Sequence, residues 1–116
     1  MAEDLIDVPL TDEERFFLQR GLGEWGGPAK CADALALAMG FHDVATLYEE
    51  GQRLKERIGR HEPLSRRDWT CCLLATEIVF ASDVVGSGWD WCSTTGLSDE
   101  ESIRLLRSLQ RKIPTG

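Results

Sequence analysis

Histidine and basic residues are thin in this chain, and each shortage closes off a class of function. There are two histidines, His42 and His61, and four cysteines with no CxxC spacing among them. Zinc sites are built from such spacings, and the adjacent Cys71 and Cys72 would point about 100° apart on a helix. No metal site and no cofactor is expected. The GxSxG, HExxH and GKS or GKT signatures of nucleophile elbows, zinc proteases and phosphate loops are also missing. No apolar run reaches the ~20 residues a bilayer-spanning helix needs, so no membrane partner is expected. The opening MAEDLIDVPL lacks the basic and apolar regions of a secretory leader. A reducing cytoplasm is the expected setting, with free thiols. No window alternates as a half-buried strand does, and no internal repeat is evident.

Against 13 Lys and Arg stand 20 Asp and Glu, a net charge of -7 over 116 residues. The length suits a single domain, 1–116, able to bury a core without staples. The acid is uneven. Residues 1–24 carry seven acidic and two basic residues, whereas Arg53 to Arg67 carry six basic and two acidic ones. Such a dipolar layout argues against nucleic acid or anionic lipid and suits a basic protein partner met by the acidic end.

The organising stretch is SRRDWTCCLLATEIVFASDVV. From Trp69 to Ala81 it is apolar or small except for Thr70, Thr76 and Glu77. A run of that length and character predicts a core helix over 65–85, covered on several sides by its neighbours. Residues 1–10 read as an extended lead-in. Thr11 and Glu14 form a capping box that opens a first helix to about Leu22. A second helix is expected from Ala29 to Met39, with Pro28 at its entry and Gly40 at its exit. Asp43 caps a third through Ile58, stopped by Gly59. Ser65 opens the central helix, GSGWDWCSTTG reads as one long loop, and Ser98 with Glu101 opens a last helix to about Lys112. The sum is an all-α compact bundle of about five helices.

Three functional readings follow. The first is a protein-binding domain, of the inhibitor or immunity type, that neutralises a partner enzyme. Its contact residues would be Trp89, Asp90 and Trp91 in the glycine-bracketed loop, Trp25 among its own glycines, and the carboxylates Glu13, Glu14 and Glu24. Tryptophan is enriched in binding hot spots, though a ring can equally cap the core. The second is a small enzyme or ligand binder with a pocket around Glu77, Arg66, Arg67 and Trp69; a carboxylate within so apolar a helix needs a partner, an arginine or a helix amino terminus. The third is a helix-turn-helix regulator across Gly40. Its would-be recognition helix begins with Asp43, Glu49 and Glu50 before any cation, which opposes phosphate. A leucine stripe on the last helix leaves pairing of two copies open.

Overall fold

The computed structural model describes residues 4–25 and 31–115. Its elements are β1 (Leu5–Ile6), α1 (Asp12–Glu24), α2 (Asp33–Ala38), α3 (Val44–Gly59), β2 (Leu64–Ser65), α4 (Arg66–Ala81), a 3-10 turn (Gly88–Asp90), α5 (Trp91–Thr95) and α6 (Asp99–Lys112). The chain is an all-α bundle of six α-helices among the described residues, in keeping with the about five expected. The added one is α5, cut from what reads in sequence as loop. Of the lead-in expected over residues 1–10, the first three lie outside the described residues, and Leu5 and Ile6 pair antiparallel with Ser65 and Leu64. Two residues a side are too few to show a strand pattern in sequence.

Local chemistry sets the helix ends. Thr11 Oγ1 accepts from Glu14 N at 3.1 Å while Glu14 Oε1 accepts from Thr11 N at 2.8 Å, the reciprocal box read from the sequence. Asp43, Ser65 and Ser98 each accept from the amide three residues on, at 2.7, 3.1 and 3.1 Å. These contacts satisfy amides that a helix start otherwise leaves unpaired. Gly40 closes α2 with φ 102°. Two boundaries differ. The α2 entry expected at Pro28 and Ala29 lies outside the described residues, but Cys31 and Ala32 are not helical and α2 begins only at Asp33. α3 ends on Gly59 itself, one residue past the expected Ile58. The left-handed residue is His61, φ 62°, with Glu62 N bonded back to Arg57 O at 3.0 Å.

Every residue of α4 from Asp68 to Phe80 is buried or half-buried, so the enclosed-helix expectation holds. It shares the centre with α1, whose Phe17 and Leu18 are fully buried. The two helices approach so closely that a Cβ at Gly21 would sit 2.4 Å from Thr76 Oγ1. Leu47, Gly51, Leu54 and Ile58 give α3 its buried face at helical spacing. Leu105, Leu106 and Leu109 of α6 are buried in the same core. The leucines of the stripe are therefore buried within the chain.

α4 ends at Ala81, four residues short of the expected Val85. Ser82 turns extended, and the chain folds back so that Ser87 N bonds Val79 O at 2.7 Å. The returning backbone at Gly86 lies over the last carbonyls, where a Cβ would meet Val79 O at 2.6 Å. The orphan carbonyls of the helix end thus find cover in the chain that follows, and that return positions the surface described next. No helix among the described residues is long and apolar enough to cross a membrane.

Candidate functional site

The segment after α4 is held by its own short bonds. Ser82 Oγ accepts from Val85 N at 3.2 Å, Asp83 Oδ1 accepts from Trp89 N at 3.1 Å, and Asp90 N donates to Ser87 O at 2.7 Å. Gly88 has φ 42°, and a Cβ there would lie 2.5 Å from Asp83 Cα. Only glycine fits that corner. A second clamp comes from α1: the buried Glu24 carboxylate accepts from Ser87 Oγ at 3.3 Å and from Thr94 Oγ1.

This corner divides the two tryptophans. Residues two apart in a helical turn point about 200° from each other. Trp91 goes inward: it is wholly buried, its ring meets Phe17 and Phe80 edge to face at 5.5 and 5.4 Å, and its Nε1 donates to Ser102 Oγ at 2.8 Å. Trp89 goes outward and is 87% exposed, and Val84, earlier in the same return, is 89% exposed. Below Trp89 a groove of about 600 Å³ runs between the end of α4 and the start of α6. Phe80, Ala81, Trp89, Cys92 and Ile103 supply its apolar lining, with Asp83 and Asp99 at its edge. Asp90, which follows Trp89 in the chain, is exposed. Residues 82–101 contain five carboxylates and no Lys, Arg or His.

Several expected contact residues lie elsewhere. Trp25 is 1% exposed and its Nε1 donates to Ala75 O at 3.1 Å, so it is a core plug of α1 against α4. Glu24 is buried in the clamp described above. Glu14, 2% exposed, is shared by Thr11, Ser108 Oγ at 2.6 Å and Lys112 Nζ at 2.7 Å, tying the α1 start to the α6 end. Burial alone would raise its carboxyl pKa, but the bonds from Lys112, Ser108 and Thr11 prevail and hold it at about 2. Of that acidic set, Glu13 alone stays in water, paired with Arg104 at 3.3 Å. A capping box shows in sequence; which of two adjacent glutamates turns inward does not.

The pocket expected around Glu77 does not assemble. Arg66 and Arg67 sit at the α4 start, about 15 Å along the axis from Glu77 by helical rise. Glu77 is half-buried and accepts from Gln110 Nε2 at 2.6 Å, an amide from α6 in place of the expected arginine. Arg67 instead edges a polar cleft of about 300 Å³ with Gly40, His42 and Cys71, where Arg53 bridges Glu50 and Asp68. Trp69 is buried, its Nε1 bonded to Ile6 O at 2.9 Å. Burial raises the pKa of the Cys71 and Cys72 thiols, which removes them as ready nucleophiles.

Sequence reasoning located Trp89 but missed its companions Phe80, Asp83, Asp99 and Ile103. One signal was available. Helical spacing groups Ile103 with Leu106, Leu109 and Ile113 as one stripe widened by Leu105, but Ile103 falls at the edge of that stripe, about 100° from its centre, and is 50% exposed. Comparison with protein-family models, with curated proteins and with solved structures finds no match for this chain.

Proposed function

We propose that this domain binds another protein through the face formed by Phe80, Trp89 and Ile103 along the α4–α6 groove. One observation carries the reading. A tryptophan stands 87% in water on a backbone pinned at both ends, so its exposure is not the slack of a loose loop. Scattered exposed apolar residues are ordinary, but a contiguous apolar face with a concave floor marks a contact site. Tryptophan at the centre of such a face is the residue type most concentrated in hot spots. An inhibitor or immunity-type role, in which the domain covers a partner enzyme, is one use of the same surface.

A photo-crosslinking side chain placed at position 89, with a second at the exposed Tyr48 of α3 as control, tests it. A protein captured at 89 and not at 48 is then purified and titrated. The expected result is a complex whose affinity falls at least about thirtyfold on Trp89→Ala, the scale of a hot spot. If that partner is an enzyme, its inhibition falls in step. Equal affinity for Trp89→Ala and the parent chain, or no capture specific to position 89, overturns the reading.

A further inference from the structure

We infer that the occupant of the α4–α6 groove is a cationic amphipathic segment of the partner, one apolar side against Phe80, Trp89 and Ile103 and its Lys or Arg side chains against Asp83, Asp90 and Asp99. This rests on the Trp89 face being the contact surface, and it names what that surface recognises.

The charge around the groove is one-sided. Five carboxylates fall within residues 82–101 with no basic residue among them. Asp90 and Asp99 are exposed, and Asp83 spends one oxygen on Trp89 N. The carboxylates at the α6 start are held there by that helix's own amino-terminal dipole, so the acidity belongs to the fold. An anionic or neutral occupant would leave them facing either like charge or desolvation without a partner, whereas a cationic one neutralises them. Trp89 adds to the preference, because an open indole face attracts ammonium and guanidinium groups. The apolar floor requires the other half of the match. A purely polar basic chain would strand Phe80 and Ile103 against charge. Two antiparallel helices with an open seam between them receive an amphipathic segment as a third layer.

A second copy of this chain fits less well. Its cationic stretch from Arg53 to Arg67 lies on α3 and the start of α4, whose apolar residues Leu47, Leu54, Ile58 and Trp69 are already buried at home. That stretch brings charge without an anchor.

The test uses three synthetic peptides of one length: an amphipathic Leu/Lys helix, the same pattern with Glu for Lys, and a Lys/Ser chain of equal charge. The readout is the indole N–H signals in a nitrogen-edited NMR spectrum. Trp25, Trp69 and Trp91 each donate that proton to a protein oxygen, while the Trp89 ring stands in water, so its signal reports the groove. The Leu/Lys peptide is expected to shift the Trp89 signal and those of Phe80 and Ile103. Its affinity should fall about tenfold in the Asp90→Asn, Asp99→Asn double variant and weaken further with added salt. The other two peptides should leave the Trp89 signal in place. Equal binding of the Glu peptide, shifts centred on another surface, or Trp89 shifts that follow protein concentration without peptide would each overturn the inference, the last in favour of self-association. Because crosslinking at position 89 is judged separately, a failure here with a crosslinked partner in hand rejects the cationic segment and leaves the binding face standing.

Discussion

Trp89 and Trp91 are two residues apart in one short turn, yet one is 87% exposed and the other 0%. Composition, local sequence and flanking glycines are the same for both. What separates them is which side of the α4 return each lands on. Trp91 completes an aromatic cluster with Phe17 and Phe80 and satisfies its N–H on Ser102. Trp89 faces the α4–α6 seam, where the carboxylate of Asp83 has fixed the backbone and nothing among the described residues covers the ring. The same side chain is structure on one side and surface on the other, so function must be read from what each ring touches.

Trp91→Ala is the sharpest way to break that contrast. Removing a fully buried indole from a close-packed cluster costs roughly 3–5 kcal/mol, a large part of what a domain of this size has to spend. Denaturant unfolding is expected to show a collapse of the midpoint, or no cooperative transition at all. A loss under about 1 kcal/mol would mean that the cluster is not packed.

Glu13 and Glu14 repeat the contrast with carboxylates. Glu14→Ala removes a cap, the Ser108 bond and the partner of Lys112, and is expected to cost about 3 kcal/mol. Glu13→Ala, which touches only the exposed Arg104, should stay within about 0.5 kcal/mol. The pH dependence follows from Glu14. Its pKa is held at about 2 in the folded chain against an ordinary 4.5. The folded state therefore gains from this group above pH 4.5, and the gain is lost as pH falls from there toward 2. In the Glu14→Gln variant the acid limb of the stability curve should be shallower over that window. An unchanged limb would place the linkage on other carboxylates.

These pairs also mark how far the sequence could be read. Periodicity located α3 and α6, because burying one face of a helix leaves a regular trace in the residues, and the length of an apolar run located α4. Caps located their starts, because a hydroxyl or carboxylate with an amide three residues on is a local matter. The end of α4 escaped because its carbonyls are covered by a chain segment that folds back, and the glycines at 86 and 88 mark that return rather than the helix stop. The site was half legible. Trp89 showed through its type, but Phe80 and Ile103 join it only when α4 and α6 are laid antiparallel. Glu24, which looked like surface acid, is a buried clamp on that loop. Residue type does not encode such long-range placement.

Gly88→Ala tests whether the corner, and not merely the ring, makes the surface. With φ 42° and Asp83 atoms 2.5 Å from the new Cβ, the turn must open. The expected cost is about 1–3 kcal/mol. Trp91 should keep its buried indole signal while that of Trp89 moves, and groove binding should weaken although none of the apolar or acidic side chains that line the groove has been changed. If binding is retained in full, Trp89 does not need its fixed backbone, and the case for a preformed face loses its main support.

The smallest expected effect is the most telling. Trp89→Ala should alter stability by no more than about 0.5 kcal/mol, since a ring in water when folded and when unfolded contributes almost no transfer term. Denaturant midpoints of the variant and the parent chain are expected to coincide, while binding at the groove is lost. A destabilisation above about 1 kcal/mol would show that in solution the ring lies down over Ile103 and closes the seam. Trp89 would then join Trp91 as part of the core, the groove would be filled by the chain's own side chain, and the contact face would have no anchor to offer.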